Sequence, residues 1–214
     1  MGQPSAIVVA VLILSASLLR QAPSDPQPPI RIRHVNVVDV RDGTVRRDQD
    51  VTIRDGRIAT IGAASELGES AGVRTIDASG KYLIPGLADM HVHWYDERYL
   101  GLFLANGVTT VRQMWGNPLH LDWRARIEAG RLLGPRFSIA SGIVDGPNPV
   151  WPESVVVADA AAGTAVVRRV KAGGFDFVKV YNRLPRDAYF AIAQAAKAGG
   201  IPYAGHVPDA VSAR

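Results

Sequence analysis

The chain has 214 residues, 47% hydrophobic and 21% charged, with a formal net charge of +4 from 24 Lys and Arg against 20 Asp and Glu. This composition is too apolar for a disordered chain, and the basic residues form no run longer than a pair, so the concentrated basic face required for nucleic-acid binding is missing. Cysteine is absent, which excludes disulfides, thiolate metal sites and a cysteine nucleophile and leaves nitrogen and oxygen as the only metal donors.

The chain opens with an unbroken apolar run from Ala6 to Leu14, followed by Ser15, Ala16 and Ser17, small residues at the spacing that suits a signal-peptidase cut. Residues 1–22 therefore read as a signal peptide and the protein as exported, periplasmic or extracellular. The alternative is an uncleaved N-terminal anchor, the one route to a membrane, although the run is shorter than the ~20 apolar residues of a spanning helix. Pro23, Pro26, Pro28 and Pro29 mark residues 23–29 as a linker, since proline fixes φ and removes a donor.

From Ile30 the pattern becomes short β-branched stretches: 30–40, 51–53, 58–61 and 74–76. Asp42-Gly43 and Asp55-Gly56 supply turns, the second joining 51–53 to 58–61 as a hairpin. Residues 30–81 are expected to form a small N-terminal β domain of composite sandwich type.

Beyond Tyr82, short apolar strands alternate with longer helical stretches, the rhythm of β/α units and a parallel sheet. Strands are expected at 86–91, 108–114, 136–140, 175–180 and 202–206, and helices at 97–105, 119–129, 159–172 and 185–198, with Pro185 in a first helical turn. Two helices end alike, on Lys171-Ala172-Gly173-Gly174 and Lys197-Ala198-Gly199-Gly200, where glycine supplies the left-handed residue that stops a helix. Residues 141–152, with three prolines, read as a loop after the third strand. The expected fold is α/β: an incomplete TIM-like (β/α)8 barrel of about five units over 82–214. A complete barrel takes ~250 residues, and Asp209 to Arg214 resemble the opening of another helix, so truncation is expected. The competing reading is a five-stranded flavodoxin-like or degenerate barrel domain serving as a non-catalytic binding protein.

Three places carry candidate chemistry. His91-Val92-His93 closes the first of these strands, and residues two apart on a strand face the same way, so both imidazoles can converge on one cation. Lys179 lies in Phe177-Val178-Lys179-Val180-Tyr181; if the valines face the helices, Phe177, Lys179 and Tyr181 face the interior. Burial there disfavours an ammonium, and a neutral amine can take up carbon dioxide to become an anionic carbamate. His206 ends the fifth strand. In a β/α barrel such strand ends meet over one cavity. His34 reads as a strand residue, His120 as a solvated or capping side chain at a helix start, and Asp89 as structural. Trp94, Tyr95, Trp115 and Trp151 lie near the same strand ends, either lining a pocket or packed.

Taken together, Leu83 to His93, Gly107 to Arg112, Phe177 to Tyr181 and Gly205 to Pro208 resemble the amidohydrolase superfamily, particularly its imidazolonepropionase-like and prolidase-like secreted members. The resemblance implies two divalent metal ions, zinc fitting best, with His91 and His93 on the more buried ion, a carbamate on Lys179 bridging, and His206 on the second. It further implies hydrolysis of an amide, cyclic amide or dipeptide, that is, a small-molecule substrate. The superfamily's further His and its general-base Asp are expected beyond Arg214, so no catalytic base is assigned within the chain, which is expected to be inactive alone.

Overall fold

The computed structural model describes residues 28–64 and 72–212. The export segment and most of the proline-rich stretch lie outside the described residues. The chain divides after Ile84 into two units, described separately below. Among the described residues no helix is long and apolar enough to cross a membrane.

The first unit contains β1 (Ile30–Val38), β2 (Val45–Arg54), β3 (Arg57–Ala63), β4 (Arg74–Asp77) and β5 (Tyr82–Leu83). Its described residues form one sheet of order β3-β2-β1-β4, with β5 also on β1. The central strand β1 takes β2 antiparallel on one edge, and β4 then β5 parallel at successive points of the other. Tyr82 and Leu83 therefore pair within this unit, and the second begins at Pro85 rather than Tyr82. Asp55 and Gly56 both have positive φ, +52° and +69°, as a two-residue hairpin turn requires. Val35, Val51 and Ala78 form the small core. His34 is a strand residue at a register shift of β1, its Nδ1 2.8 Å from Asp48 Oδ1.

The second unit runs β6 (Leu87–Val92), α1 (Arg98–Ala105), β7 (Val108–Gln113), α2 (Pro118–Glu128), β8 (Arg136–Asp145), β9 (Val155–Val156), α3 (Ala160–Ala172), β10 (Phe177–Val180), α4 (Arg186–Gly199) and β11 (Tyr203–Gly205). The sheet order is β11-β10-β8-β7-β6, with every pair parallel. Each main strand thus lies beside its predecessor in the chain. A flavodoxin-like sheet reverses its order at a switch point, whereas a barrel winds in one direction. The sequential order is that of an incomplete (β/α)8 barrel and overturns the flavodoxin-like reading.

Side-chain alternation sorts the strands. Val144, Val178 and Val180 pack against Val166, Val170 and Ile192 of α3 and α4, while Phe177 turns the other way onto Met114 and Ala140. Asn117 and Asp159 cap α2 and α3 through side-chain oxygens that accept from Leu119 N and Ala162 N. Gly174 and Gly200, at φ +80° and +63°, are the left-handed residues that follow α3 and α4. Pro185 sits one position earlier than expected, as the N-cap of α4.

The loop expected at 141–152 is corrected in its first half, because β8 continues to Asp145, pairing Ile143 with Lys179 and Val144 with Val180. Beyond it β9, which the sequence did not suggest, pairs with the end of β8. Asp145 is fully buried and accepts from three backbone donors: Gly146 N at 3.0 Å, Val150 N at 2.9 Å and Arg183 N at 2.6 Å. It ties the end of β8 to the turn after β10. Replacing Asp145 with Ala strands these donors, each costing about 1–3 kcal/mol when left unpaired; a loss of about 3 kcal/mol in urea unfolding is expected, and a loss below about 1 kcal/mol would refute the role.

Candidate metal centre

The end of β6 sets the geometry. Val92 is buried in the cluster that holds Trp94 and Leu100, so its neighbours on the strand turn to the opposite face. There His91 Nε2 and His93 Nε2 lie 3.2 Å apart. Two neutral imidazoles cannot both present acceptor lone pairs at that distance without a shared proton or cation. Two nitrogens bound to one zinc at 2.0–2.1 Å in tetrahedral geometry stand about 3.3 Å apart. The pair therefore fits a metal without rearrangement.

Lys179 is only 1% exposed, and every residue of β10 is buried. Its backbone N donates to Ser141 Oγ at 3.0 Å, while its Nζ lies 5.7 Å from the Tyr181 ring centre. Among the described residues no carboxylate forms an ion pair with it. Such a lysine fits conversion to an anionic metal donor better than it fits a permanent buried ammonium. His206 is oriented by Asn182, whose Oδ1 lies 2.5 Å from its Nδ1. An amide oxygen only accepts, so Nδ1 carries the proton and Nε2 keeps its lone pair for a ligand.

All four predicted residues, His91, His93, Lys179 and His206, line one cavity of about 280 Å³. Tyr95, Trp115, Trp151 and Tyr181 share that lining. Among the described residues no three His, Asp or Glu side chains are arranged to hold a metal by themselves; the chelating pair from β6 needs Lys179 and His206 to extend its donor set.

No family model matches the chain. It is 55% identical over 47 residues to a dihydroorotase of Trichlorobacter lovleyi, a stretch covering 22% of this chain and 11% of that one. It is 33% identical over 118 residues to an L-hydantoinase of Paenarthrobacter aurescens, covering 48% and 25%. In solved structures, the bottromycin amidohydrolase superposes with a TM-score of 0.71 at 31% identity, over 85% of this chain and 39% of that one. The chain belongs to the amidohydrolase superfamily. It spans from about a tenth to a quarter of the curated relatives' length in these matches.

In this superfamily member the immediate surroundings favour neutral nitrogen donors. Burial, then the positive charge of Lys179 and Arg112, lower the His91 pKa against an opposing Asp89. Burial, His91 and Lys179 lower that of His93; burial, Lys179 and His91 lower that of His206, with Asp145 opposing. Lys179 is lowered first by burial and then by Arg112. The neutral forms are those that bind metal and take up carbon dioxide.

The remaining candidates sort differently. Asp89 accepts from His91 N at 3.2 Å, a structural contact. His120 caps α2, with Asn117 N donating to its Nδ1 at 3.1 Å, but it is buried rather than solvated. Its Nε2 lies 2.8 Å from the Trp94 carbonyl and 2.8 Å from Gln113 Nε2, and Trp94 itself is packed. Sequence reading missed Ser141, Asp145 and Asn182, whose partners lie 24 to 38 residues away. An Asn three residues after Lys179 was the only local signal.

The pH consequence has a definite sign. Histidines held below their ordinary pKa of about 6.5 are protonated first in the unfolded chain, so stability present above that value is lost as pH falls towards the folded pKa values. NMR titration of the metal-free protein should place the His91, His93 and His206 imidazoles below about 6.5, with stability falling from pH 7 to 5. Titration of all three at or above that value would contradict the electrostatic account.

Proposed function

We propose that the protein hydrolyses a carbon–nitrogen bond of a small molecule, an amide, cyclic amide or dipeptide, using two divalent ions, zinc fitting best. The observation that carries this reading is the 3.2 Å Nε2 pair facing the same cavity as a buried lysine that has no carboxylate partner among the described residues. His91, His93 and His206 would hold the ions through Nε2, and Lys179 as a carbamate would supply an anionic oxygen donor. The carbamate forms when the neutral Nζ lone pair attacks the carbon of carbon dioxide and the nitrogen loses a proton to solvent, giving one N–C bond and one negative charge.

When bound, divalent ions lower the pKa of water and polarise a carbonyl. The chain's own residues do the rest. Asn182 holds Nδ1 of His206 so that Nε2 faces the cavity, and Ser141 fixes the backbone of Lys179 from the neighbouring strand. The aromatic rings of Tyr95, Trp115, Trp151 and Tyr181 reduce water access on one side. Neighbouring dipoles and low polarity make each charge interaction stronger than in bulk water.

Metal content and amide hydrolysis measured side by side test the proposal. The chain should take up zinc, His91→Ala should lose at least one ion and Lys179→Ala should weaken retention of the rest, while in protein that also carries the general-base Asp expected beyond Arg214 Lys179→Ala should lower hydrolysis roughly a thousandfold. Unchanged metal content in both variants would overturn the assignment.

A further inference from the structure

The metal cavity is continuous in its lining with a second cavity of about 490 Å³, which shares Tyr95, Trp115 and Trp151 with it and is bounded further out by Asn117, Gly142 and Glu153. That volume falls within the about 300–1,000 Å³ typical of small-molecule sites. We infer that this second cavity is the subsite for a planar aromatic group of the substrate that carries no negative charge, with Trp115 and Trp151 as its specificity-determining residues. The inference rests on the hydrolase reading above and adds the substrate class to it.

The rings form a corner rather than a random patch. The Trp115 and Trp151 centroids are 5.6 Å apart at 49°, and Tyr95 stands 6.3 Å from Trp115 at 88°. Offset and edge-to-face arrangements at these separations are those that aromatic groups prefer, and a further ring can extend them. The polar ends of Trp151 and Tyr95 are already used within the wall. Trp151 Nε1 donates to Tyr181 Oη at 3.1 Å, and Tyr95 Oη donates to the Trp115 carbonyl at 3.2 Å. What these two residues offer the cavity is therefore ring surface.

Exposure agrees with an unfilled subsite. Tyr95 is 48% and Trp151 44% exposed, although both stand in a concavity beside the reacting centre. Large exposed aromatics in such a place mark binding surface more often than incidental exposure. Gly142 keeps the floor of the cavity clear of a side chain. Tyr181 joins the two sites, since its ring lies 4.1 Å from that of His206 at a tilt of 34° while its hydroxyl accepts from Trp151 Nε1. A group resting on the wall is thus held beside the metal ligands.

Charge decides the rest. Glu153 is the one charged residue among the described lining of the second cavity, and neither Lys nor Arg joins it there. A carboxylate placed in this subsite would meet a like charge without a cation to pair it. The wall therefore selects for aromatic area and against an anionic substituent.

The test uses the full chain and three probes: N-benzylacetamide, N-methylacetamide and N-(4-carboxybenzyl)acetamide, with affinity read from tryptophan fluorescence in zinc-loaded and zinc-stripped protein. The benzyl compound should bind roughly tenfold tighter than the methyl compound and roughly tenfold tighter than its carboxylated analogue. Trp151→Ala should erase the benzyl preference, Trp151→Phe should keep most of it, and Glu153→Gln should restore binding of the carboxylated probe. A benzyl-to-methyl ratio near one, or a ratio unmoved by both Trp151→Ala and Trp115→Ala, would overturn the subsite. If zinc binds and the preference is absent, the subsite alone fails. If the preference is present in protein that takes up no zinc, the subsite stands and the hydrolase reading fails.

Discussion

Lys179 puts an amine on the inner face of a strand whose four residues are all buried, and no carboxylate meets it among the described residues. An ammonium in that position has lost water without gaining a counter-ion, which costs several kcal/mol. The amine has no other face to turn to. β10 is held between β8 and β11 in fixed register, and Val178 and Val180 are committed to the helix-side core. A slip of one residue would drive the lysine into that core and the valines into the cavity. The packing energy of the strand therefore enforces an electrostatic problem at its centre, which the proposed conversion of the lysine into an anionic metal donor would resolve.

Much of the frame was legible because it follows from local periodicity. Alternation at His91-Val92-His93 announced two imidazoles on one side, alternation around Lys179 separated the valines from the lysine, and the glycine pairs after two helices marked the return to each strand. The sequential strand order then brought the three segments to one cavity. What could not be read depends on distant partners. The extension of β8 to Asp145 is stabilised by Arg183, 38 residues away. His120 read as solvated or capping; it does cap α2, but Trp94 from the loop after β6 covers it and accepts its hydrogen bond.

The site divides its labour between rigid and open parts. The proposed metal donors come from strand ends, where backbone pairing holds position, and Ser141, Asn182 and Asp145 behind them are bonded to backbone or to a candidate donor side chain. Such support is what keeps ligands aimed before an ion arrives. The aromatic wall is built on loops beyond the same strand ends, where side chains can differ in character without disturbing the donors. On the proposed reading the strand ends would supply the donors, and the rings beside them would distinguish one substrate from another.

The central claim concerns where divalent ions sit, and anomalous diffraction at the zinc edge from zinc-soaked crystals reads this directly. The account predicts one peak about 2.0–2.1 Å from Nε2 of both His91 and His93, and a second close to Nε2 of His206 with Lys179 between them. Zinc found only at surface side chains, or a peak on the histidines with Lys179 turned away from it, would contradict the account.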